Sequence, residues 1–195
     1  RPLGVIEVAR TGVAAIARAA AFIMTASEGA SLHLPDLRQR ADDFEPLVVD
    51  RFIAGALQPA HWYLRAQRFR RLYRDKVQAL FEHWDVLLAP ATPVTAPAIG
   101  TEWIEISGQR LPCRPSMGLL TQPISFAGCP VVAAPLWPQA HAVSDGPASS
   151  FSPQASARMP LGVQVIAAPW REDLALRAAR VLERSGVAQM KKVAL

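Results

Sequence analysis

The sequence predicts an α/β fold, on three observations. Half of its 195 residues are hydrophobic (51%) and only 19% are charged, a balance that supports a well-buried core and argues against disorder. Short continuous apolar runs recur at 85–93, 130–135 and 161–169, each with proline at an end. Segments of helical periodicity precede and separate these runs. Strands of that kind, alternating with helices, are expected to be covered on both faces.

The elements follow in chain order. "GVAAIARAAAFIMTASEGA" (12–30) predicts a helix, with alanine as its main filler and Thr11 as N-cap. Arg18 and Glu28 interrupt it, and no apolar run approaches the roughly 20 residues of a membrane span, so it reads as a core helix. A polar stretch at 34–46 is bounded by Pro35 and Pro46, and "LVVDRFIAGA" (47–56) predicts a second helix ending near Gly55. Trp62, Ala66, Phe69, Tyr73, Val77, Leu80 and Trp84 recur at spacings of three and four, which predicts a long amphipathic helix over 59–84 with its arginines mostly off the apolar stripe. Strands at 85–93, 130–135 and 161–169 follow. The last helix spans 171–186, with Glu172 and Asp173 in its first turn, Arg184 in its last, and Gly186 as C-cap. The Pro/Ser/Ala/Gly-rich segment 137–160 is expected to be a surface excursion.

Composition narrows the function classes. Cys113 and Cys129 make neither a disulfide framework nor a metal cluster, and a reducing cytoplasm is the expected compartment. The net charge of +5 comes from arginine, since Lys76, Lys191 and Lys192 are the only lysines. No aromatic-interleaved basic stripe accompanies that charge, so neither nucleic acid nor a membrane is an expected partner. The chain opens "RPLGVIEVAR" without a methionine, as though entered within a longer polypeptide.

The segment "TQPISFAGCPVVAAP" (121–135) has the small residues and prolines of a pocket wall leading into a buried strand. A cysteine hydrolase built on Cys129, with His33, His61, His83 or His141 as base, is disfavoured. Pro130 removes the N–H that would help form an oxyanion hole, and a strand follows where a helix N-terminus is wanted. No G-x-S-x-G elbow surrounds Ser125, Ser149 or Ser150, no metal-ligand spacing exists, and no glycine-rich phosphate loop is present.

Three runs in this order, "DVLLAPATPVTAPAIG" (85–100), "TQPISFAGCPVVAAP" (121–135) and "MPLGVQVIAAPWREDLALRAARVLE" (159–183), resemble the C-terminal half of the amidase signature family. "ASEGASLH" (26–33) and "DRFIAGA" (50–56) extend the resemblance over nearly the whole chain. It implies the C-terminal part of that fold, with a mixed central β-sheet covered by helices on both faces. It also implies hydrolysis of a linear amide or urea-type C–N bond with ammonia release, by a Ser–cis-Ser–Lys mechanism. The family's catalytic serines and lysine lie on a glycine- and serine-rich segment that these 195 residues lack, so no catalytic residue is expected here and this chain alone is expected to be inactive. No metal or organic cofactor is implied.

The resemblance assigns this half a substrate-binding role. Arg51 matches an arginine that grips a substrate carboxylate in several relatives, a task suited to its planar fork. A carboxylated urea-type substrate would need such a partner, and Thr121 and Gln122 would add polar contacts. Relatives acting on glutamine carry an aspartate where this chain has Gly118, which disfavours glutamine as substrate. A homo- or hetero-oligomer, with a small accessory subunit, is compatible with the resemblance. The rival reading is a non-catalytic remnant of the amidase fold that binds a ligand or partner; the missing methionine and the strand edges it would leave bare speak against it.

Overall fold

The computed structural model describes residues 12–137 and 159–188. Thr11, His141, Ser149, Ser150, Lys191, Lys192 and all but the ends of the segment 137–160 lie outside the described residues. The chain divides into two compact units. One comprises Pro2–Val77 with Ser125–Ala127 and is helical; the other comprises Gln78–Ile124 and Gly128–Leu195, with Arg1, and holds the sheets.

In the helical unit, α1 spans Val13–Arg40, ten residues beyond the predicted end at 30. Pro35, expected to bound a polar stretch after the helix, lies inside it, although a proline ring withholds one backbone hydrogen bond. Local contacts support the continuation. Arg40 pairs with Asp36 one turn back (3.1 Å) and with Asp43 (3.6 Å) in the 3-10 turn Ala41–Asp43 that follows. His33 packs against Phe44 and Phe52 at ring-centroid distances of 5.7 and 5.1 Å. With that turn, the helix is long and apolar enough to cross a membrane by length and composition alone, contrary to the sequence expectation. Ala17, Ala20, Ala21, Met24, Ala26 and Ala30 of this helix are buried, Ile16, Phe22 and Leu32 are exposed, and Glu28 accepts a hydrogen bond from Tyr63.

Helix α2, Pro46–Leu57, starts with proline in its first turn, where the missing N–H costs nothing, and packs along α1. Gly55 makes the closest approach. A Cβ there would collide with the backbone carbonyl of Ala26. Helix α3, Ala60–Leu80, buries Ala66, Tyr73 and Val77 of the expected stripe. Trp62 is half exposed, and Trp84 falls beyond the helix end. Phe69, Tyr73 and Phe126 form an aromatic cluster with centroids 5.9–6.2 Å apart, and Arg70 Nε donates to the Phe126 carbonyl (3.0 Å).

In the sheet unit, β1 (Val86–Pro90), β4 (Val131–Leu136) and β5 (Leu161–Ala167) occupy the three predicted strand positions. Their order is β1-β5-β4, with Leu88 and Val132 opposite Val165. Both pairings are antiparallel, so the described residues contain none of the parallel pairings that a mixed sheet also includes. Being central, β5 is buried on both faces from Val163 to Ala167. Gly162 is required where β5 passes β1, since a Cβ there would lie 2.9 Å from that of Ala91.

Between β1 and β4 the chain forms a hairpin that the sequence reading did not expect, β2 (Trp103–Ile106) and β3 (Gln109–Pro112), followed by the single-turn helix α4, Cys113–Ser116. Helix α5 spans Gln122–Ala127, and α6, Glu172–Arg184, packs on all three strands of the larger sheet. Ser185 takes the C-cap position of α6; Gly186, at φ 78, follows it and turns the chain back so that Ala188 N–H reaches the Leu182 carbonyl (3.0 Å). Leu182 of α6 and Leu136 pack against the buried cluster of Ala134, Val163 and Ala188.

Candidate functional site

Arg51 lies in the middle of α2, on the side that meets α1. One turn later on the same helix face is Gly55, whose missing side chain lets the α1 backbone approach at Ala26. That close approach brings Arg51 to the residue before Ala26. Arg51 Nη2 donates to Thr25 Oγ1 at 2.6 Å, and its Cζ sits 4.7 Å from the centroid of the Phe22 ring. Thr25 Oγ1 in turn donates to the Phe22 carbonyl at 3.3 Å. The guanidinium is thus held at one nitrogen and along one face, and remains partly open to solvent. Sequence reasoning singled out Arg51 but not Thr25 or Phe22.

Thr121 and Gln122 belong to the sheet unit, at the start of α5. Gln122 N–H donates to the Gly118 carbonyl (3.0 Å), and its side chain lies directly beside Gly118. A Cβ at position 118 would come within 3.2 Å of Gln122 Cδ and 3.3 Å of Cγ. A larger residue there would force the Gln122 side chain aside. The structure brings Thr121, Gln122 and Gly118 together within one unit and places Arg51 in the other.

In the segment 121–135, expected to be a pocket wall leading into a strand, the strand is present as β4, and it is preceded by a short helix and a turn at Gly128 (φ 76). Pro123 sits in the first turn of that helix and is buried, as are Phe126 and Ala127. Burial pushes the Cys129 thiol up from its ordinary value, which suppresses the thiolate a nucleophile needs. Ser125 is exposed on α5, and Lys76 is exposed on α3. Among the described residues, no group of three or more His, Cys, Asp or Glu side chains could hold a metal ion.

Behind the Gln122 region, Gln164 carries the one buried amide of β5. Its Nε2 donates to the carbonyls of Pro90 (2.9 Å) and Leu120 (3.3 Å), tying the central strand to β1 and to the segment that leads into Thr121. Sequence reading took 161–169 as an apolar strand and gave this glutamine no role.

The family profile described as Amidase matches residues 4–176. The chain belongs to the amidase family. Within it, the chain is 64% identical over 189 residues to AtzE of Pseudomonas sp. (strain ADP), a 1-carboxybiuret hydrolase subunit, covering 97% of this chain and 38% of that protein. It is 31% identical over 153 residues to a glutamyl-tRNA(Gln) amidotransferase subunit of Cyanothece sp. (strain PCC 7425 / ATCC 29141), covering 76% of this chain and 27% of that protein. The chain therefore spans well under half the length of these relatives.

Solved structures agree. A chain from a vestigial protein complex bearing on the evolutionary origins of an s-triazine catabolic enzyme, with inhibitor bound, superposes with a TM-score of 0.80 at 64% identity, covering 92% of this chain and 36% of that one. The crystal structure of an amidase superposes with a TM-score of 0.73 at 25% identity, covering 87% and 35%.

Proposed function

We propose that this chain is the C-terminal portion of an amidohydrolase that hydrolyses a linear, carboxylated urea-type substrate, 1-carboxybiuret or a close analogue, with release of ammonia. The observation that carries the reading is the 64% identity, over nearly the entire chain, to a 1-carboxybiuret hydrolase subunit. In the proposed chemistry a neutral lysine takes the proton of a nucleophilic serine through a bridging serine, all three outside these 195 residues. The serine attacks the amide carbonyl, backbone N–H groups hold the oxyanion, ammonia leaves, and water hydrolyses the acyl-enzyme. This chain alone is inactive in that reading.

The role proposed for this portion is substrate binding. Arg51 grips the substrate carboxylate, and Thr121 and Gln122 supply polar contacts. The packing of Gln122 against Gly118 supports the exclusion of glutamine, because an acidic side chain at 118 would have no room without displacing it. The relative is one subunit of a hydrolase, and the structural neighbour comes from a protein complex, which supports a partner subunit for the full-length protein. The same reading places the protein in the cytoplasm, with Cys113 and Cys129 as free thiols.

The test is ammonia release by the full-length protein from 1-carboxybiuret, biuret and glutamine. Preference for 1-carboxybiuret is expected; preference for glutamine, or no release from any of the three, overturns the reading. Arg51→Lys is expected to raise KM for the carboxylated substrate about tenfold or more, the cost of losing a bidentate charged contact, and to leave a neutral amide nearly unaffected. Equal effects on both would remove the carboxylate role.

A further inference from the structure

We infer that Thr25 and Phe22 are positioning residues for Arg51, fixing its guanidinium in the orientation in which it meets the substrate carboxylate. The inference rests on the proposed role of Arg51 and goes beyond it by assigning what sets that side chain's geometry. A free arginine on a helix surface samples many rotamers, and ordering it costs binding energy each time a ligand arrives. Here the ordering is already done.

Two contacts of different kind accomplish it. Thr25 Oγ1 directs its own proton to the Phe22 carbonyl (3.3 Å), which turns its lone pairs toward the incoming Nη2 of Arg51 (2.6 Å). The Phe22 ring lies 4.7 Å from Cζ, within reach of a cation–π contact. A hydrogen bond holds one nitrogen and the ring holds the guanidinium carbon close, which restricts the rotamers open to the side chain. Only one Nη2 hydrogen is engaged by Thr25. Among the described residues Nε–H, Nη1 and the second Nη2 hydrogen have no acceptor, and these are the donors a carboxylate takes in pairs.

The test uses the full-length protein, with Arg51→Ala, Thr25→Val, Thr25→Ser and Phe22→Leu compared for KM and kcat on 1-carboxybiuret and on biuret, alongside melting temperature. Thr25→Val keeps the shape and removes the acceptor. It is expected to raise KM for the carboxylated substrate about tenfold, with kcat within about twofold, KM for biuret unchanged, and melting within about 2 °C of the parent. Thr25→Ser retains the acceptor and should retain the parent KM, while Phe22→Leu should raise it about threefold through the lost stacking. If Arg51→Ala discriminates between the two substrates but Thr25→Val and Phe22→Leu do not, positioning is overturned and the role of Arg51 stands. If Arg51→Ala fails to discriminate, both fall. A Thr25→Val loss shared equally by both substrates would mark Thr25 as a structural residue and overturn the inference as well.

Discussion

Replacing Gly55 by alanine tests how the α1–α2 contact is made. The added Cβ would penetrate the Ala26 carbonyl and lie 3.0 Å from the Ser27 nitrogen, both backbone atoms that no rotamer change can move. Ordinary carbon contacts lie at about 3.5–4.0 Å, so α2 must retreat from α1 by an amount of the order of an ångström. Overpacking of this kind costs about 3 kcal/mol at the upper end of its usual range. The retreat also breaks the Arg51–Thr25 hydrogen bond one turn away, about another 1 kcal/mol. Against this, alanine is the better helix former by about 1 kcal/mol. The net expectation is a loss of about 3 kcal/mol in urea unfolding of the full-length protein, together with a raised KM for the carboxylated substrate. Gly29→Ala is the control. Its Cβ would lie 2.5 Å from Phe52 Cε1 and 2.9 Å from Cδ1, atoms of a side-chain ring rather than of the backbone, and the expected cost is about 1–2 kcal/mol, clearly below that of Gly55→Ala. A Gly55→Ala protein within about 0.5 kcal/mol of the parent would refute the reasoning, since no clash of this kind would then exist.

Other outcomes follow from single sites. Gln164→Leu strips two backbone carbonyls of their donor in a buried strand and is expected to cost about 1–3 kcal/mol; an unchanged urea midpoint would show that water or rearrangement satisfies them. Cys129, with its thiol raised by burial, should label slowly with iodoacetamide at neutral pH and faster only in alkali, without loss of activity at neutral pH; rapid neutral labelling would contradict its burial. Asp173 is held below the ordinary carboxylate range by its hydrogen bond from Arg171, so its contribution is complete above the unfolded-state value and is lost as pH falls through the lower folded one. Asp173→Asn should therefore narrow the stability gap to the parent only as acid is added, and a gap that widens in acid would reverse that sign.

The parts of the fold that local pattern dictates were legible. Three short apolar runs with proline at their ends became β1, β4 and β5, while the C-cap of α6 falls at Ser185, one residue before the expected Gly186. Pro35 misled because a proline's local penalty was weighed without the tertiary contacts of His33, Phe44 and Phe52 that outweigh it. The β2–β3 hairpin carried a readable signal that went unused: the turn dipeptide Ser107-Gly108, with both residues at positive φ (51 and 75) as a two-residue turn demands. Pro123 near the start of α5 and Gly128 just after it were also helix punctuation, obscured by the many small residues around them. The candidate role of Arg51 rests on family resemblance alone. Its hydrogen bond to Thr25 was not legible, because the two are 26 residues apart and meet where Gly55 lets the helices close.

Among the described residues, the middle strand of the larger sheet is also the last of its three strands in the chain. During synthesis on the ribosome, β1 and β4 are therefore complete while the strand that joins them has yet to emerge, and each waits as a short apolar segment open to pairing with another nascent chain. Both waiting strands contain a proline, Pro90 in β1 and Pro135 in β4, and Pro130 stands just before β4. None interrupts β5. Among the described residues β1 and β4 are the outer strands of this sheet, positions where a proline's missing donor is tolerated and where proline discourages pairing with another chain.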